Sequence, residues 1–120
     1  MSKPVNFKTK EPNPHYEGVY DIAPDELHNL KSEVKMIDVR EPDEFVGELG
    51  HIAEAELISL GTLPDYIGDF PKDQTIVFVC RSGARSARAT AFAQMNGFEH
   101  VYNMAGGMIA WNNLKLPIER

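Results

Sequence analysis

The stretch "VFVCRSGARSARA", residues 77–89, passes in one step from an apolar run to a cysteine. A short loop rich in Arg, Ser and Gly follows, and then an alanine-rich segment. The run "TIVFVC", residues 75–80, is unbroken in β-formers, the pattern of a strand buried on both faces. Residues 84–96 read as a helix, with Ala84, Ala87, Ala91 and Met95 at three- and four-residue spacing and Gly97 as a left-handed stop. A buried strand feeding a helix through a tight loop is the repeating unit of α/β folds. In such sheets ligands bind outside the carboxyl ends of the strands. Cys80 stands at that edge.

The rest of the chain repeats the alternation. Residues 19–22 form a short strand, and Pro24 opens a helix to about Leu30 with Asp25 and Glu26 in its first turn, where the helix dipole favours acids. "VKMIDVR", residues 34–40, is a strand ending on polar Asp38 and Arg40, and "EPDEFVGEL" is a short helix. "AELISL" gives a third strand, "TLPDYIGDF" a short helix or turn, and residues 71–73 a loop. "HVYNM" is the last strand and "GMIAWNNL" the last helix. One α/β domain over residues 18–120 is expected, with a parallel-rich sheet covered on both sides. Residues 1–17 carry Pro4, Pro12 and Pro14 with little apolar pattern, and read as an N-terminal arm, extended or mobile.

A chain of 120 residues suits a single core. Eighteen acids against twelve bases give net −6, which argues against nucleic acid as a partner. The charge is uneven, however: between Cys80 and Phe98 stand Arg81, Arg85 and Arg88 and no acid. That patch points to a small anion as ligand. One cysteine permits no intramolecular disulfide, and His15, His28, His51 and His100 lack ligand spacing, so neither a metal nor another cofactor is expected. Anything attached to Cys80 must leave to an external acceptor. No apolar run approaches the ~20 residues of a membrane span, and the N-terminus lacks an apolar signal core. A cytoplasmic protein without a membrane partner is expected.

The loop itself argues for chemistry. The first N–H groups of a helix lack internal partners, so amides of residues 81–86 can curl around the sulfur, with Gly83 permitting the close approach. With Arg81 and Arg85 beside it, this environment favours thiolate at neutral pH. The pattern resembles the phosphatase signature, in which arginine falls six residues after cysteine. Here Arg85 is five residues after Cys80, and position 86 is serine. The shorter loop has less room for a tetrahedral phosphoryl group but closes around one added sulfur atom.

Three motifs in order resemble the rhodanese-like (sulfurtransferase) domains. They are "MIDVREPDEFVGELGHIAEA", the loop "CRSGAR" followed by Ser86, and "NMAGGMIAWNNLKLP". Glu54 stands where that family usually has glycine. The resemblance implies an α/β fold around a five-stranded, mainly parallel sheet with helices on both faces, and Cys80 as the sulfur-accepting nucleophile. It implies that the loop Arg81, Ser82, Gly83, Ala84, Arg85 and Ser86 holds the persulfide and the donor, with Asp38 and Arg40 as the supporting pair. The implied partners are a small anionic sulfur donor such as thiosulfate and a thiol or protein-cysteine acceptor. A persulfide carrier or regulatory interaction module with little turnover is the alternative; a phosphatase is disfavoured by the loop length.

Other residues read as structural. Asp38 is expected to cap a loop and Arg40 to pair with an acid such as Glu44. His51 is assigned no catalytic role, since a thiolate needs no base. Gly106 and Gly107 form a tight turn near the site, Trp111 and Ile109 pack in the core or its rim, and Met104 and Met108 are candidates to line the donor's entrance.

Overall fold

The computed structural model describes residues 4–120. Its sheet has six strands, β1 (Glu11–Pro12), β2 (Tyr20–Ile22), β3 (Lys35–Asp38), β4 (Glu56–Leu57), β5 (Ile76–Val79) and β6 (Val101–Met104). They lie in the order β1-β2-β6-β5-β3-β4. All pairings are parallel except that of β1 with β2. The expected five-stranded, mainly parallel sheet thus has a sixth strand, a two-residue antiparallel edge. Among the described residues are the α-helices α1 (Pro24–Leu30), α2 (Pro42–Phe45), α3 (Leu63–Tyr66), α4 (Ala84–Met95) and α5 (Gly107–Asn113), with short 3-10 turns at Lys31–Glu33 and Ile67–Asp69.

The central strand behaves as its composition demands. Every residue of β5 is buried, and its side chains alternate between two cores because successive Cβ atoms point to opposite faces. Ile76, Phe78 and Cys80 join Ile37, Leu63, Ile67, Ala89 and Phe98 on one face. Val77 and Val79 join Leu27, Met36, Met104, Met108 and Trp111 on the other. Met104 and Met108 are fully buried and line no entrance, contrary to the sequence expectation.

Helix α4 is where expected but rotated. Its buried face is Ser86, Ala87, Ala89, Thr90 and Ala93, whereas Ala84 is exposed and Met95 is 85% exposed. Alanine carries too little apolar area to choose a face by itself. The two buried hydroxyls are satisfied locally: Thr90 Oγ1 donates to the Ser86 carbonyl at 2.7 Å, and Ser86 Oγ reaches into the site described below.

The segment expected as an arm lies against the body. Phe7 is buried in the same core layer as Trp111, and the Lys8 and Thr9 amides donate to the Glu26 carboxylate at 2.7 and 2.9 Å. Asn13 Nδ2 donates to Asp21 at 3.0 Å. Residues 1–3 of that segment lie outside the described residues. No helix of the described residues is long and apolar enough to cross a membrane.

Candidate active site

Cys80 follows the last residue of β5, and α4 begins at Ala84, so the loop between them turns directly over the sulfur. Gly83, at φ 103°, precedes the helix in a left-handed conformation. A Cβ there would also approach the Gly106 amide nitrogen to 3.2 Å. The turn delivers three donors to Cys80 Sγ: the Gly83 N–H at 3.1 Å, the Ser86 N–H at 3.3 Å and the Ser86 hydroxyl at 3.1 Å. Of the loop amides, those of Gly83 and Ser86 are the ones aimed at sulfur. Oriented dipoles of this kind stabilise negative charge on a buried atom without reorganising. Cys80 itself is 1% exposed.

The outside of the loop is pinned by α5. The Met108 and Ile109 amides donate to the carbonyls of Cys80 and Arg81 at 2.8 and 3.1 Å. Those carbonyls are thereby held by α5. Gly106 and Gly107, both left-handed, bring the start of α5 into backbone contact with the loop, which is the role of the tight turn expected there.

The arginines divide. Arg85 makes a two-pronged pair with Glu44 of α2, at 2.7 and 2.8 Å, while Arg81 and Arg88 are exposed. Arg81 lines a cleft of about 220 Å³ with Arg40, Asp43, Glu44 and Glu48. The patch that is acid-free along the chain is not acid-free in space, because α2 carries its acids to it. Arg40 pairs with Asp38, Nη2 to Oδ2 at 2.8 Å and Nε to Oδ1 at 2.9 Å, rather than with the Glu44 side chain. Both members are fully buried. Arg40 also donates to the Gly50 and Glu44 carbonyls at 2.7 and 3.2 Å, so the pair ties β3 to the α2 segment.

The Arg85 guanidinium holds the Glu44 carboxyl at about 2, against an ordinary 4.5. A carboxyl whose folded value is depressed stabilises the fold fully above its unfolded value and loses that contribution as pH falls through the folded one. The stability difference between wild type and Glu44→Gln is therefore expected to be largest above pH 4.5 and to disappear as pH falls towards about 2. Thermal unfolding across that range measures it. The effect is small, since Arg85 is 37% exposed and solvent screens the pair.

Ser82 and Ala84 sit on the exposed outer rim of the loop. His51 stacks on Phe45 with ring centroids 3.7 Å apart, and its Nδ1 lies 2.7 Å from the Phe45 carbonyl. Glu54, at the position where the resembling domains usually have glycine, is exposed, is not left-handed and pairs with Lys31 at 3.3 Å. Among the described residues, no cluster of three or more His, Cys, Asp or Glu is placed to hold a metal. Sequence reasoning missed Glu44 as the partner of Arg85, and missed Asn103. The asparagine's signal was its place in a strand, where that residue type is depleted.

The structure is thus an α/β domain whose mainly parallel sheet carries, at its carboxyl edge, a lone thiol cradled by backbone and hydroxyl donors. The sequence matches the Rhodanese-like domain family over residues 23–114. The chain belongs to that family. It is 38% identical over 86 residues to a sulfurtransferase of Allochromatium vinosum, covering 72% of this chain and 78% of that protein. It is 35% identical over 81 residues to the thiosulfate sulfurtransferase GlpE of Pseudoalteromonas translucida, covering 68% and 75%. A rhodanese-like domain protein from Staphylococcus aureus superposes with a TM-score of 0.71 at 36% identity, over 83% of this chain and 98% of that one.

Proposed function

We propose that the protein is a sulfurtransferase that moves sulfane sulfur from a small anionic donor, such as thiosulfate, to a thiol or protein cysteine through a persulfide on Cys80. The observation that carries this reading is the three-donor cradle around Cys80 Sγ in a six-residue loop. The sulfurtransferase relatives support it.

In the first step the Cys80 thiolate attacks the outer sulfur of thiosulfate. A new S–S bond forms, the old one breaks, and sulfite leaves with the electron pair. In the second step the acceptor attacks the outer sulfur of the persulfide, and the pair returns to Cys80. Splitting the transfer into two displacements is covalent catalysis, and the Gly83 and Ser86 donors stabilise the sulfur anion throughout. No general base is required. Turnover in this form calls for acceptor thiols that are kept reduced, a condition that favours the cytoplasm.

Arg81 and Arg85 are unequal in this scheme. Glu44 already neutralises Arg85, whereas Arg81 is exposed at the cleft. Arg81→Ala is therefore expected to raise KM for thiosulfate about tenfold, as loss of one charge-assisted contact, and Arg85→Ala to raise it less. Steady-state thiocyanate formation from thiosulfate and cyanide measures both, and the activity should vanish in Cys80→Ala. The reverse order of Arg81 and Arg85 would contradict this assignment of the donor site.

The acids of the same cleft favour a second reading, a persulfide carrier that exchanges sulfur with protein cysteines. Asp43 and Glu48 beside Arg81 weaken its attraction for a free dianion. Under that reading transfer from a persulfidated protein outpaces transfer from thiosulfate.

A further inference from the structure

Behind the sulfur cradle runs a set of buried polar contacts that the two displacements above do not use. Asn103, on β6 and 1% exposed, touches both arms of the cradle. Its Oδ1 lies 2.5 Å from Ser86 Oγ, and its Nδ2 donates to the Gly83 carbonyl at 3.1 Å. Gly83 and Ser86 are the two residues whose donors reach Cys80 Sγ. The amide can point only one way. Nδ2 also donates to Asp21 Oδ1 at 2.9 Å, and a carbonyl and a carboxylate only accept, so Oδ1 is the atom left to face Ser86. Asp21 is held in turn by Asn13 Nδ2 at 3.0 Å.

We propose that Asn103, aligned by Asp21, is the positioning residue of the cradle and shares the single Ser86 hydroxyl proton with the Cys80 sulfur. The proposal rests on the persulfide reading of Cys80. Ser86 has one proton to donate and two acceptors within reach, Asn103 Oδ1 and Cys80 Sγ. While Sγ is bonded to hydrogen or to a second sulfur it is uncharged, and the hydroxyl donates to Asn103. When the acceptor attacks the outer sulfur, the S–S bond breaks and its electron pair stays on Sγ. The hydroxyl then turns to the new thiolate and makes a charge-assisted bond. Ser86 keeps its proton throughout; only its direction changes. Asn103 supplies the partner while Sγ is uncharged, so the buried hydroxyl is satisfied in both states, and it holds Gly83 and Ser86 at the distances the leaving sulfur needs.

Discharge of the persulfide to cyanide, followed in a single turnover, tests this. Asn103→Leu leaves the Ser86 hydroxyl unaimed and is expected to slow discharge about tenfold, the effect of losing that hydroxyl's hydrogen bond to the new thiolate, without raising KM for thiosulfate. Asp21→Leu should slow it in the same direction, and Asp21→Asn, which keeps a carbonyl acceptor, should recover what Asp21→Leu loses. In a Ser86→Ala background the further loss on adding Asn103→Leu should shrink, because coupled residues are not additive. An unchanged discharge rate in Asn103→Leu would overturn the proposal. So would KM rising with the loss of rate, or Asp21→Asn failing as badly as Asp21→Leu. If Asn103→Leu does not fold, the Asp21 pair carries the test, since Asp21 is only half-buried. Iodoacetamide alkylation of Cys80 is run alongside and needs no sulfur donor. A wild type that alkylates but takes up no sulfur defeats the sulfurtransferase reading. In that case slower alkylation in Asn103→Leu and Asp21→Leu, restored in Asp21→Asn, still supports the positioning role, and equal rates in all variants overturn it.

Discussion

Gly107→Ala is expected to reduce sulfur transfer by about a hundredfold or more, although the residue contributes no side chain to the site. Gly107 has φ 58°, a conformation L side chains rarely adopt. A Cβ there would lie 2.4 Å from the Arg81 carbonyl carbon and oxygen and 2.5 Å from the Cys80 carbonyl oxygen. These are backbone atoms and cannot swing aside as the end of a flexible side chain can. The start of α5 would have to retreat, releasing the hydrogen bonds from Met108 and Ile109 to the Cys80 and Arg81 carbonyls. With those carbonyls free the loop peptides rotate, and the Gly83 and Ser86 donors lose their aim. Misplacement of about 1 Å at a reacting centre costs on the order of a hundredfold. The accompanying loss of stability, about 1–3 kcal/mol for a backbone-strained position, is small against the roughly 5–15 kcal/mol of an ordinary domain, so the lost rate is not lost folded protein. Parallel measurement of turnover and urea denaturation separates the two. Near-normal turnover in Gly107→Ala would show that α5 does not set the loop geometry.

The second large effect is on stability. Asp38→Ala is expected to cost about 3–5 kcal/mol, the usual result of leaving one member of a buried ion pair without its partner. Asp38 and Arg40 are each 1% exposed or less, and the guanidinium would keep only the Gly50 and Glu44 carbonyls. Replacing both, as in Asp38→Leu with Arg40→Met, should recover most of the loss, because a well-packed apolar pair avoids the cost of burying charge. The role is therefore to fix geometry between β3 and the α2 segment. Urea denaturation of the single and double variants checks this; a double variant as unstable as Asp38→Ala would show that the ionic pair itself is required.

What the chain reveals in one dimension, and what it hides, follows from the range of the interactions. β5 was legible because a strand buried on both faces needs an unbroken run of β-formers, and α1 because Pro24, Asp25 and Glu26 supply a start signal within one turn. The cradle was legible because every group in it lies within six residues of Cys80. The Arg85–Glu44 pair spans 41 residues and the Ser86–Asn103 contact 17; such pairings depend on sheet order, which periodicity does not encode. Arg85 therefore looked free beside the sulfur, and the loop looked more cationic than it is. The rotation of α4 escaped for a different reason. Alanines occur all round that helix, and two of the residues that mark its buried face, Ser86 and Thr90, are polar.

Intact-mass spectrometry of the protein after incubation with thiosulfate tests the central claim most directly. Wild type should gain the mass of one sulfur atom, lose it on addition of cyanide, and gain nothing as Cys80→Ala. The absence of any sulfur adduct on wild type, with thiosulfate and with a persulfide donor alike, or an adduct that persists in Cys80→Ala, would contradict the assignment of Cys80 as the sulfur-carrying nucleophile.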